Sequence, residues 1–131
     1  MAKVCIQPCL GINENLTTIA RQAAYSAFLK LGVDKANLGC APALYAEVQE
    51  DVDFIMNDYV IAIEACDKCC ANHLVREKGG SVHVTLRIDE FLRLAGFDIA
   101  SLPREHAPLD HPAVEAVANE IVRIAKAELG E

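Results

Sequence analysis

Apolar side chains in this chain fall either into short runs or into stretches with a helical period. The runs at residues 4–6 and 60–65 are rich in Val and Ile, which is typical of buried strands. From residue 16 to residue 31, apolar side chains recur every three or four positions. This spacing predicts an amphipathic helix, which Gly32 would end and which Asn13 or Asn15 would cap.

The rest of the chain continues this alternation of strands and helices. Pro42 suits the first turn of a helix, and the alternating pattern at residues 82–87 is typical of a strand near a sheet edge. The further predicted elements are, in chain order, a very short strand at 36–38, helices at 42–56 and 67–78, the strand at 82–87, a short helix at 89–94, an irregular segment at about 97–111, and a helix at about 112–129 capped by Asp110 or His111.

Strands that alternate with helices form a parallel sheet with right-handed crossovers. The sequence therefore predicts an α/β fold, a three-layer α/β/α sandwich around a sheet of about four parallel strands, flavodoxin-like or Rossmann-like. The strand order 2-1-3-4 is expected because this winding is common. A chain of 131 residues is expected to form a single domain, 1–131.

Charge and composition narrow the possible partners. A net charge of -7 and the absence of Trp argue against nucleic acid and anionic membranes, which call for a basic surface or stacking aromatics. No apolar stretch approaches the ~18 residues of a membrane span, and no signal peptide is visible, so a cytoplasmic protein is expected. The six cysteines are therefore expected to be metal-binding or reactive thiols rather than disulfides.

Cysteines stand at the ends of three predicted strands. They are Cys9, Cys40 and Cys66, and Cys70 follows Cys66 in the next helix. Because the carboxyl ends of parallel strands share one edge, these thiols are expected to converge. Four thiolates suit a tetrahedral Zn²⁺ site, and an Fe–S cluster is the second candidate occupant.

Helical spacing also predicts that Cys66 shares a face with Cys69 and Cys70. These cysteines would lie at a helix N-terminus, whose partial positive charge favours the thiolate over the thiol.

Several segments together carry a resemblance to a known family. They are Cys9-Leu10-Gly11, the helix at 15–28, Cys40, Ile63-Glu64-Ala65-Cys66 with Cys70-Ala71, and Val82-His83-Val84-Thr85. Over about residues 4–94 the chain resembles the DGC-domain family, for which zinc binding through four characteristic cysteines has been suggested. The resemblance implies a metal site formed by Cys9, Cys40, Cys66 and Cys70, and it implies no reaction. Glu64-Ala65-Cys66 replaces the family's Asp-Gly-Cys, and Cys69 is additional.

A thiol enzyme is the alternative function. Cys66 and Cys69 form a C-x-x-C motif at the predicted strand–helix junction, as in thioredoxin-like proteins. Cys66 would attack a disulfide or carry a persulfide, and Cys69 or Cys70 would resolve it. Cys69 is otherwise a fourth ligand or a spectator. His73 is a ligand, a group that tunes a thiolate, or a solvated side chain.

Three further expectations concern a core cysteine, anion binding at the Cys9 loop, and possible partners. Cys5 lies inside a strand and is expected to be a small core residue. A phosphatase site at the Cys9 loop is rejected, because Asn15 stands where small cysteine phosphatases need Arg. The last helix is expected to pack on the sheet or on a second subunit. The possible partners are therefore the metal ion, a second copy of the chain in a homo-oligomer, and an unknown protein.

Overall fold

Strands and helices alternate along the chain in the computed structural model, which describes residues 2–11 and 14–131. In chain order they are β1 (Val4–Pro8), α1 (Asn15–Leu31), β2 (Ala36–Leu38), α2 (Ala41–Tyr45), α3 (Gln49–Asn57), β3 (Tyr59–Glu64), α4 (Cys70–Glu77), β4 (Val84–Arg87), α5 (Ile88–Leu94) and α6 (Pro112–Glu128). A 3-10 helix, Ile99–Ser101, lies in the segment between α5 and α6. The short strand β2 has the predicted bounds, and His111 caps α6 by accepting a hydrogen bond from the Ala113 amide at 3.1 Å.

The strands form one parallel sheet with the order β2-β1-β3-β4. Val4 of β1 stands opposite Ala36 of β2 and Tyr59 of β3, so β1 lies inside the sheet. β4 pairs with β3 and forms an edge, as its alternating pattern predicts. The predicted fold class and strand order are confirmed, and the carboxyl ends of the strands meet at one edge.

Helices cover both faces of the sheet and give three layers. One core contains Ile6 and Ile61 of the sheet together with buried side chains of α1, α5 and α6. The other contains Cys5 and Val60 together with side chains of α2, α3 and α4. Successive residues of a strand point to opposite faces, so β1 and β3 each contribute to both cores.

α6 packs on α1 of its own chain. Buried residues of α6 such as Val117 and Ala118 belong to the same core as Ala20 and Ala24 of α1. Small side chains at such a contact let the two helix axes approach closely. Among the described residues, neither α6 nor another helix combines the length and the apolar character that crossing a membrane requires.

The N-terminus of α1 differs from the prediction. Asn13 lies outside the described residues, and Asn15 is the first helical residue rather than the cap. Glu14 caps the helix in a reciprocal capping box with Thr17, and the Glu14 amide donates to Thr17 Oγ1 at 3.0 Å. Asn15 Nδ2 instead donates to the Ile99 carbonyl oxygen at 2.7 Å, which ties α1 to the segment before α6.

The single helix predicted at 42–56 is wrong, because α2 and α3 are separate. Glu47 has a φ of 61°, in the left-handed region, and Val48 caps α3. Asp51 is buried and its Oδ1 accepts a hydrogen bond from the Cys40 amide at 3.0 Å. A continuous helix from Ala41 would carry Asp51 about 15 Å along its axis, whereas the break returns Asp51 to the end of β2.

Cys5 has no exposed surface and belongs to the core beneath α2, α3 and α4, as predicted for a small core residue. Burial, reinforced by the carboxylates of Asp58 and Asp51, raises the pKa of Cys5 to about 12. The folded protein therefore keeps this thiol neutral well above the ordinary cysteine pKa of 9.0.

We expect this burial to weaken the metal-free, reduced protein in alkali. Above pH 9.0 the unfolded chain releases the Cys5 proton, whereas the folded state holds it until about pH 12. The folded state thus binds more protons in this window, and stability is lost as the pH rises through it. Urea titrations should show the free energy of unfolding falling more steeply for wild type than for Cys5→Ala, by at most about 1.4 kcal/mol per pH unit.

Cys40→Ala is the matched control, because the Cys40 side chain is exposed to water in the folded state. This variant should keep the wild-type dependence on pH. Equal slopes for wild type and Cys5→Ala would contradict the account of Cys5.

Candidate functional site

A cavity of about 440 Å³ opens at the carboxyl edge of the sheet. Its walls are the loop after β1, the first turn of α1, and the turn between β3 and α4. The cysteines that line it are Cys9, Cys66, Cys69 and Cys70. Thiols that are far apart in the sequence therefore surround one space, at the edge where open α/β sheets bind ligands.

Glu64, the last residue of β3, anchors the start of α4. Its side chain is 1% exposed, and its carboxylate accepts hydrogen bonds from the amide of Ala71 at 3.1 Å and the amide of Asn72 at 2.8 Å. Asn72 Nδ2 donates to the same carboxylate at 2.8 Å. The positive end of the helix is therefore occupied by a carboxylate. For Cys69, whose pKa is raised, the expectation that the helix end favours a thiolate is wrong.

The turn at 66–69 leads from β3 into α4 and carries two of the thiols. The Cys69 amide donates to the Cys66 carbonyl oxygen at 3.4 Å, and Cys69 Sγ lies 3.9 Å from the same oxygen. Cys69 has a φ of 51°, in the left-handed region, and Cys70 is the first helical residue. The predicted helix at 67–78 thus begins later, and the predicted helical face shared with Cys66 is wrong, although all three thiols line the cavity.

Cys9 reaches the cavity from the end of β1. Its amide donates to the Ile63 carbonyl oxygen at 3.1 Å, which fixes the loop against β3. Burial raises the pKa of the Cys9 thiol; a backbone hydrogen bond from Ala65 opposes this, and the charges of Glu64 and Cys70 add to it. Cys9 is therefore a neutral thiol near pH 7 in the metal-free protein, and it lies close enough to Cys70 for the two to interact electrostatically.

Cys69 is also held as a neutral thiol. Partial burial raises its pKa and Glu64 raises it further, while the guanidinium of Arg87 at the end of β4 opposes both. Lys68 lies in the turn and lines the cavity, and the charge of Asp67 in the same turn adds to the rise in the Cys69 pKa. The site therefore surrounds its thiols with both a buried carboxylate and basic side chains.

Cys40 lies at the same edge of the sheet but does not line the cavity. Ile6 of β1 stands opposite Leu38 of β2, so Cys40 follows β2 level with the end of β1. Its side chain is exposed, and its amide is held by Asp51. The structure thus brings together three of the four thiols predicted as ligands, together with Cys69, and leaves Cys40 beside them.

The donor set of the cavity fits zinc in its chemistry, because thiolate sulfur is the ligand that closed zinc sites favour. Within residues 2–11 and 14–131, however, no three His, Cys, Asp or Glu side chains stand in a group that could hold a metal ion. Cysteine side chains would have to rotate toward one another to share an ion.

The role of Glu64 was missed by sequence reasoning. The available signal was a carboxylate at the end of an apolar strand, since a buried charge needs partners. Asn72 was missed as well, although its Nδ2 joins Glu64 to Thr85 Oγ1, 3.0 Å away on β4. His73 is exposed and accepts a hydrogen bond at Nδ1 from Arg76 Nη2 at 3.2 Å, outside the residues that line the cavity.

We expect Glu64→Gln to destabilise the protein by about 2 kcal/mol or more, because an amide loses the charge and presents a donor toward the N–H groups of α4. Urea unfolding of the metal-free protein measures the change. Glu77→Gln is the matched control, since Glu77 ends the same helix on the exposed side and should change stability by less than about 0.5 kcal/mol. Similar losses in both variants would show that Glu64 does not anchor the helix.

Comparison with known proteins places the chain in a family. The family model for the DGC domain matches residues 5–102. No curated protein and no solved structure matches the chain. The matched segment contains all six cysteines and leaves α6 outside. Because the match covers well over half of the 131 residues, from β1 through the 3-10 helix, the chain belongs to the DGC-domain family.

Proposed function

We propose that this domain binds one Zn²⁺ through four cysteine thiolates at the carboxyl edge of its sheet: Cys9, Cys40, Cys66 and Cys70. The observation that supports the proposal is the cavity where the end of β1 meets the turn after β3, since three of these thiols line it. Sulfur ligands on separate strand ends can surround an ion, which suits the tetrahedral arrangement that zinc adopts.

Cys40 is the ligand that has to move. It follows Gly39 at the end of β2 and is exposed at the same edge of the sheet, outside the cavity. Because no ready-made group of ligands is present among the described side chains, zinc would order the thiols as it binds. Metal binding of this kind adds its free energy to that of folding, so zinc is expected to stabilise the domain.

A site closed by four thiolates leaves no coordination position for a substrate. Zinc held in this way serves the structure, or is stored and passed on, whereas Lewis-acid chemistry needs an open position. The family match and the cavity support a metal-binding domain of this kind and point to no reaction.

Protein purified without oxygen is expected to contain about one equivalent of zinc by metal analysis. Ser variants of the four proposed ligands should each weaken zinc binding by more than the roughly 10- to 100-fold that loss of an outer partner causes. Cys69→Ser is the matched control, because Cys69 lines the same cavity but is not a proposed ligand.

Two outcomes would contradict this assignment. Protein that neither retains zinc nor binds added zinc would end the proposal. A Cys69→Ser variant that loses zinc, beside a Cys40→Ser variant that retains it, would transfer the fourth position to Cys69.

Zinc affinity is also expected to depend on pH. The pKa of Cys9 lies above the ordinary value of 9.0, so zinc must displace its proton at neutral pH. Affinity should therefore still be rising at about pH 9, with proton release on binding, and competition with a chromogenic chelator at several pH values measures it. An affinity that does not change between about pH 6.5 and about pH 8.5 would exclude Cys9 as a ligand.

A further inference from the structure

Cys69 is the cavity thiol that the proposed zinc site does not use. It closes the sequence Cys66-Asp67-Lys68-Cys69, and both end residues are partly buried and line the cavity. The family match and the zinc proposal give this thiol no role. Its position raises the question of what a second sulfur beside a zinc ligand can do.

The hydrogen bond of this turn keeps the two cysteines within reach of a disulfide. The Cys69 amide donates to the Cys66 carbonyl oxygen at 3.4 Å, which is the bond between the first and fourth residues of a β-turn. Such a turn holds its end Cα atoms within about 7 Å, and disulfides span about 4.4–6.8 Å between Cα atoms. Cys69 Sγ also lies 3.9 Å from the Cys66 carbonyl oxygen, so the thiol already points back across the turn. Rotation about side-chain bonds can therefore join the sulfurs without moving β3 or α4.

The turn is also held in an uncommon backbone conformation. Cys69 has a φ of 51°, in the left-handed region that residues other than glycine seldom adopt. The neighbouring Glu64 contacts with the amides of Ala71 and Asn72 hold the start of α4 in place and keep this conformation. The positions of the two cysteines are thus fixed by the surrounding structure rather than by contact between them.

The cavity gives an oxidant access to this pair. The cavity of about 440 Å³ admits a molecule the size of hydrogen peroxide, whereas Cys5 has no exposed surface. Cys66 and Cys69 are both partly buried and line this cavity, so an oxidant that enters it reaches both sulfurs.

We propose that Cys66 and Cys69 form a reversible disulfide when hydrogen peroxide oxidises the protein, and that this bond withdraws Cys66 from zinc and releases the ion. The release rests on the proposed zinc site, whereas formation of the disulfide does not. The domain would thereby couple its metal content to the redox state of its surroundings.

With hydrogen peroxide as the oxidant, disulfide formation proceeds in two steps and yields two molecules of water. One thiolate attacks a peroxide oxygen, the O–O bond breaks, and the departing hydroxide takes a proton to become water while the sulfur becomes a sulfenic acid. The second thiolate attacks that sulfur, the S–O bond breaks, a second water leaves, and the S–S bond forms. Each sulfur gives up one electron, the peroxide gains two, and the two thiols supply both protons. A dithiol reductant reverses the bond by exchange.

The first test uses the reduced, metal-free full chain and about one equivalent of hydrogen peroxide. Free thiols are then blocked with N-ethylmaleimide, and the chain is cut after Lys/Arg and after Glu. Cleavage after Glu64, Lys68 and Arg76 separates Cys66 on residues 65–68 from Cys69 and Cys70 on residues 69–76. Mass spectrometry is expected to find these two peptides linked.

Matched variants identify the partner of Cys66. The link should persist in Cys70→Ser and vanish in Cys69→Ser. A link that survives Cys69→Ser and vanishes in Cys70→Ser would overturn the proposal. A disulfide between Cys9 and Cys70, the competing neighbours in the cavity, or thiols that remain free or become over-oxidised, would overturn it as well.

The second test follows zinc release from the loaded protein with a chromogenic chelator. Peroxide should release zinc from wild type, dithiothreitol should restore binding, and Cys69→Ser should release zinc at least about tenfold more slowly. Equal release rates would overturn the coupling to zinc. If the chain binds no zinc, the zinc proposal and the release fail together, while the linked peptides still decide the disulfide.

Discussion

The hydrogen bonds between the Glu64 carboxylate and the first amides of α4 determine how the chain is arranged at the carboxyl edge of the sheet. A carboxylate that is 1% exposed needs partners, and the amides of Ala71 and Asn72 supply them. These contacts fix where α4 begins, and therefore force residues 66–69 into a turn that carries Cys66 and Cys69. They also place a negative charge at the positive end of the helix, and burial together with this charge raises the pKa of Cys69.

This electrostatic arrangement suits a bound cation better than an activated nucleophile. Burial and the nearby Glu64 keep Cys9 and Cys69 protonated, which slows attack by either thiol on an electrophile. A metal ion displaces those protons and offsets the negative charge of thiolates and carboxylate together. The zinc proposal and the disulfide proposal both use Cys66, so the two states would exclude each other at this residue.

The pattern of apolar residues along the sequence predicted the fold class and the strand order, but it did not predict the details of the candidate site. Short Val- and Ile-rich runs and helical spacing predicted the parallel sheet and its order, because these features follow from periodicity and connection rules. The break before α3 was not predictable, since it depends on a tertiary contact between Asp51 and the Cys40 amide. The start of α4 likewise depends on Glu64. The rule that strand ends share an edge placed Cys40 correctly along the sheet, but it does not say whether a side chain enters a cavity.

Zinc binding as proposed requires thiols from separate strand ends to share one metal ion. The most direct measurement replaces zinc with an NMR-active cadmium isotope and correlates the metal resonance with cysteine β-protons. One cadmium signal coupled to Cys9, Cys40, Cys66 and Cys70 is expected, with no coupling to Cys5 or Cys69. Separate cadmium signals, or a signal coupled only to cysteines of the turn at 66–70, would contradict it.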